Sequence, residues 1–178
     1  MSQERSCITD QSLFIECQLS TQLSPRGSAS EPPAGRWGLV SVEMLKNSNL
    51  SHYQMVREVE KTFKKWSPAI FASYNGISFD EEFWRKTLFK SLMPDIYQTN
   101  TNGSKRIDIL NVARAAKLID DNAIKTTISE KGNPVFKLDQ LSIANGIEHK
   151  DAHTAFSDSL ATKAIAEIIY KKVNYVWQ

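Results

Sequence analysis

The chain has 178 residues, of which 41% are hydrophobic and 24% charged, a balance that excludes a disordered or membrane-embedded polypeptide and allows one core without staples. Lys and Arg number 22 against 20 Asp and Glu, so a formal charge of +2 sets up no global field for a polyanion, and any nucleic-acid site must be local. Cys7 and Cys17 have neither CxxC spacing nor a histidine cluster, which argues against a zinc site or a disulfide framework and for a reducing cytoplasm.

Taken in chain order, residues 7 to 19 read as two extended runs about a turn at Asp10-Gln11-Ser12, followed by a Ser/Pro/Gly-rich loop over residues 20–36. From Asn49 the pattern turns helical, with Val56, Val59, Phe63 and Trp66 on one stripe and Pro68 as the stop. The run AIFASY, bounded by Pro68 and by Asn75-Gly76, predicts a buried strand. A helix is predicted from Asp80, since DEEFWRKTLFKSL places acids in its first turn and bases later, as the helix dipole prefers. KRIDILNVARAAKLI reads as a brief strand or turn running into a helix, and FKLDQLSIA as a short helix ended by Asn145-Gly146. The last helix is expected to start near Asp151 as N-cap and to reach about Lys172, with Phe156, Leu160, Ala161, Ile165, Ile168 and Ile169 facing inward. The sum is a mixed α/β domain without internal repeats, and no apolar run reaches the length of a membrane span.

Three side chains stand where α/β folds assemble sites, at a strand end or a helix start: Asp80, His153 and Asp158. Taken alone, Asp80 is more simply an N-cap and His153 an ordinary first-turn residue. Asp158 lies among small residues in AFSDSLAT, near the apolar stripe, where an acid requires a partner or a cation. His153 and Asp158 are about 140° apart around an ideal helix, so they converge only if His153 sits in the entry turn and leans across.

The stretches YNGISFDEEF, TNTNGSKRIDILNVARA and VFKLDQLSIANGIEHKDAHTAFSDSLAT, in that order and spacing, resemble bacterial exonuclease I, of the DEDDh group of 3′ to 5′ exonucleases, over about residues 40 to 172. The resemblance implies a ribonuclease H-like fold, a mixed five-stranded sheet flanked by helices. It also implies a site in which four carboxylates hold two divalent ions, Mg²⁺ or Mn²⁺, and a histidine takes the proton of the attacking water. On the matching positions, Asp80 becomes the aspartate of the second motif and a metal ligand, His153 the general base, and Asp158 the last metal-binding aspartate. Asn75 and Phe79 become contacts to the terminal nucleotide.

The implied substrate is single-stranded DNA. A non-catalytic single-strand-binding remnant and an exoribonuclease of the same fold are the alternatives. The family's first motif, an Asp-x-Glu on the first strand, has no counterpart upstream of Asp80. The expectation is therefore a single domain over residues 1–178 that lacks the first strand, with an incomplete two-metal site that binds metal weakly and leaves this chain either a nuclease or an inactive one.

Overall fold

The computed structural model describes residues 50–148 and 155–177. The early hairpin, the 20–36 loop, the Asp151 cap and His153 expected from the sequence lie outside the described residues. Helix α1 runs His52–Trp66. Its start is closed by a capping box, in which Ser51 Oγ accepts the Gln54 amide at 3.2 Å and the Ser51 amide donates to Gln54 Oε1 at 2.9 Å. Met55, Val56 and Val59 form the buried stripe, with Phe63 and Trp66 half-buried at its end.

Strand β1, Ile70–Ser73, leads through a turn into α2, Asp80–Lys90. Met55, Val56 and Val59 of α1 pack against Trp84 and Leu88 of α2 and Met93 beyond it, which makes one hydrophobic cluster. Phe63 ties the three elements together, its ring 5.5 Å from that of Trp84 and 4.9 Å from that of Phe71 on β1.

After a single 3₁₀ turn at Gln98–Asn100, β2 (Lys105–Asp108) pairs with β1 in parallel, Ile70 opposite Lys105 and Ser73 opposite Asp108. Parallel pairing requires a crossover, and the segment holding α2 supplies it. Asp108 begins α3, Ile109–Ile119, as its N-cap, with its carboxylate accepting the Leu110 amide at 3.0 Å.

A short hairpin, β3 (Thr127–Ile128) with β4 (Pro134–Val135), precedes α4, Leu138–Ala144, and α5, Ala155–Lys172. Ile109, Val112 and Ala113 of α3, Leu141 of α4, and Ile165 and Ile169 of α5 form a second cluster. A fully buried Ile or Leu is worth about 1.5–3 kcal/mol of transfer free energy, so this cluster rather than the two-residue hairpin holds that half together.

The elements fall where the sequence places them, with three differences. AIFASY forms a strand, but it is not buried throughout: its residues alternate between exposed and half-buried, and Ile70 is 57% exposed. Among the described residues β1 pairs only with β2, and α1 covers the one face that carries Phe71. On α5, Phe156 and Leu160 face solvent, and the buried face is Ser159, Ala161, Thr162, Ile165, Ala166 and Ile169. Small residues let α5 lie close against α3 and α4, and a stripe drawn through the largest side chains misses that face. The β3–β4 hairpin has no counterpart in the sequence reading. Its turn is closed by Gly132 at φ +79°, within a polar run too short to carry alternation.

Candidate active site

The C-terminal ends of β1 and β2 lie side by side, and the chain turns sharply on leaving β1. Asn75 adopts φ 60°, a left-handed conformation that Asn tolerates better than most residues, and its amide donates to Asp108 Oδ1 at 2.8 Å. Gly76 follows, buried and without room for a side chain: a Cβ there would stand 2.3 Å from Ser73 Oγ and 2.9 Å from Asp80 Oδ2. The Gly76 carbonyl accepts both the Phe79 amide, at 3.2 Å, and the Glu81 amide, at 2.9 Å. These bonds fold the first turn of α2 back over the strand end and bring the Asp80 carboxylate against it.

Asp80 is half-buried and is the first residue of α2. The N-cap position belongs to Phe79, which makes no side-chain cap bond, so the simpler explanation of Asp80 as N-cap does not hold. Burial pushes the Asp80 carboxyl above the ordinary carboxylate range; its own backbone N–H opposes this, and the charges of Glu81 and Asp108 add to it. Glu81 is otherwise engaged, accepting from Thr99 Oγ1 at 2.7 Å and pairing with Arg106 at 3.5 Å. Asp108 is 6% exposed and was not singled out by the sequence reading. The available signal was an acid placed between a strand and a helix in KRIDILNV, which reads equally as a cap.

Phe79 projects outward, 49% exposed, with its ring 4.9 Å from that of Phe83 one turn along α2. Both line a shallow groove with Ser78, Glu82 and Lys86. Asn75 is exposed. Asp158 stands in the first turn of α5, half-buried beside the buried Ser159, with its carbonyl accepting Thr162 Oγ1 at 2.8 Å. The described residues thus bring Asp80 together with Asp108 and Glu81, while His153 lies outside them. Among the described residues no group of three His, Cys, Asp or Glu side chains forms a metal-holding cluster. The donor chemistry at Asp80 nevertheless fits a hard dication: an oxygen ligand, half-buried and opposed by two acidic neighbours, is the setting in which a cation keeps the carboxylate ionised.

A parallel strand pair flanked by helices, with an acid held at its carboxyl end, is a mixed α/β arrangement. The comparisons make the likeness specific. Exodeoxyribonuclease I of Buchnera aphidicola subsp. Schizaphis graminum is 31% identical over 133 residues, 75% of this chain and 27% of that protein. The Haemophilus influenzae enzyme of the same name is 34% identical over 105 residues, 59% of this chain and 22% of that one. Escherichia coli exonuclease I, solved in complex with a dA16 oligonucleotide, superposes with a TM-score of 0.72 at 26% identity, over 78% of this chain and 29% of that one. The resemblance to bacterial exonuclease I carried by the three motifs is therefore borne out. The chain spans about a quarter of the length of the curated relatives it matches. No family model matches it. Among the described residues no helix is long and apolar enough to cross a membrane.

Proposed function

We propose that this chain contributes the site of a metal-dependent 3′ to 5′ exodeoxyribonuclease acting on single-stranded DNA. The observation that carries the reading is Asp80: it is held at the carboxyl end of a parallel strand by a turn with no room for a side chain at Gly76, in a fold shared with oligonucleotide-bound exonuclease I. In this reading Asp80 and Asp158 are carboxylate ligands for Mg²⁺ or Mn²⁺, which when bound supplies positive charge against the scissile phosphate. His153 accepts the proton of the attacking water, a task suited to an imidazole whose ordinary pKa is about 6.5. The exposed ring of Phe79 offers a stacking surface to the terminal base, with Asn75 on the turn that precedes it, and Lys86, which lines the same groove, meets a phosphate.

The test is an end-labelled single-stranded DNA oligonucleotide incubated with the protein and Mg²⁺ or Mn²⁺. Slow stepwise shortening from the 3′ end is expected, since the site lacks the acids of the first motif, and it should be abolished by chelator, by Asp80→Asn and by His153→Ala. Salt-sensitive binding with no shortening under any divalent ion would overturn the catalytic reading in favour of a binding module. Equal degradation of the RNA counterpart would overturn the assignment to DNA.

A further inference from the structure

Asp108 lies outside the ligand set assigned above, yet it is the most deeply buried acid at the strand ends. Its Oδ1 serves two amides far apart in the chain, Leu110 at 3.0 Å and Asn75 at 2.8 Å. A helix cap needs only the first, and a shorter Ser would provide it. The second bond exists because the parallel register sets Asp108 opposite Ser73, so that a side chain at the end of β2 reaches the residue that leaves β1 by the left-handed turn. That turn carries Gly76, whose carbonyl accepts the Phe79 and Glu81 amides on either side of Asp80 and where a Cβ would crowd Asp80 Oδ2, so the turn sets the direction of Asp80.

We propose that Asp108 is a positioning residue: by accepting the Asn75 amide it fixes the turn after β1, and through that turn the placement of the Asp80 carboxylate. The part of this inference that concerns metal rests on the reading of Asp80 as a metal ligand. The part that concerns the turn does not. Asp108 touches neither substrate nor metal in this scheme; it acts through the main chain of Asn75 and Gly76.

Three variants separate the two bonds. Asp108→Asn keeps an acceptor for both amides, Asp108→Ser keeps the cap but falls short of Asn75, and Asp108→Ala removes both. Amide hydrogen exchange at Asn75 reads the turn directly, the thermal midpoint reads the cap, and Mn²⁺ titration reads the placement of Asp80. In Asp108→Ser, which keeps the cap, the midpoint is expected to fall less than in Asp108→Ala, which loses both bonds. Protection of the Asn75 amide should drop by about 10- to 100-fold, the range of a hydrogen bond to a charged group. Mn²⁺ affinity should weaken by about 10- to 100-fold, as when the support of a metal ligand is removed.

Asp108→Asn is expected to preserve both protection and affinity. The inference is overturned if Asn75 stays protected in Asp108→Ser, or if Asp108→Asn weakens Mn²⁺ binding as strongly as Asp108→Ser while Asn75 remains protected, since Asp108 would then act through its charge. A wild-type chain that neither binds Mn²⁺ nor shortens DNA sinks the nuclease reading alone, because exchange at Asn75 still decides the positioning.

Discussion

Gly76→Ala is the sharpest perturbation of the site, because the space for the added methyl group can be measured. The new Cβ would lie 2.3 Å from Ser73 Oγ, 2.5 Å from Ser73 Cβ and 2.9 Å from Asp80 Oδ2. Carbon–carbon contact is comfortable at about 3.5–4.0 Å, so the overlap with Ser73 Cβ alone is about 1 Å. Rotating Ser73 relieves only its hydroxyl, since its Cβ is fixed to a backbone paired with β2. The turn must therefore give way, and it takes Asp80 with it.

Overpacking of this kind costs about 1–3 kcal/mol, and a clash with a Cβ that no rotamer change can move belongs to the upper half of that range. For a protein of this size each kcal/mol moves the thermal midpoint by about 2–4 °C, so a fall of about 4–12 °C is expected, and under the proposed function Mn²⁺ binding weakens with it. A double-mutant cycle identifies the cause. Adding Ser73→Gly to Gly76→Ala removes both Ser73 contacts and should recover part of the loss, whereas adding Ser73→Ala removes only the hydroxyl, leaves the Cβ in place and should recover less. A Gly76→Ala midpoint within about 2 °C of wild type, or equal recovery by both partners, would refute the reasoning.

Two further outcomes follow from ionisation. The Asp80 carboxyl is pushed above the ordinary range chiefly by burial, so the fold holds the protonated form more tightly than the unfolded chain does. Its contribution to stability is complete below the unfolded value near 4 and is lost as pH rises through the folded value. In chelator, Asp80→Asn should therefore be more stable than wild type at pH 7, with the gap in midpoint closing towards pH 4; a variant less stable at pH 7 contradicts this. Burial also pushes the Tyr74 hydroxyl well above its usual value, with Asp108 and Asp139 adding to the effect against Arg114, while the hydroxyl donates to the Phe136 carbonyl at 2.6 Å. Stability from Tyr74 is full below about pH 10 and declines above it, so the midpoint of wild type should fall more steeply between pH 10 and 11 than that of Tyr74→Phe. Parallel curves would count against it.

The sequence was most legible where one local rule acted alone. The α1 stripe, the Pro68 stop, the strand before Asn75-Gly76 and the glycine closing α4 each rest on periodicity or on a residue with unusual backbone freedom, and each stands where expected. Asp80 could be located but not explained: the pattern put an acid at a helix start, whereas its burial and its place over a glycine without room for a side chain arise from the folded turn. Asp108 was hidden because its second bond spans 33 positions in the chain and depends on the register of two parallel strands, which no local pattern encodes. The inner face of α5 was misread for a related reason. Size and hydrophobicity pointed to Phe156 and Leu160, but the partner helices select small residues for close approach.

The two hydrophobic clusters have a mechanical consequence. Asp80 rides on a helix anchored in the first, while Asp108 heads a helix anchored in the second, and the paired strands with the Asn75 bond join them. Spacing between these acids is thus governed by the joint rather than by either interior. A disturbance that lets one half slide by a fraction of an ångström past the other would detune the strand-end acids long before either interior begins to melt.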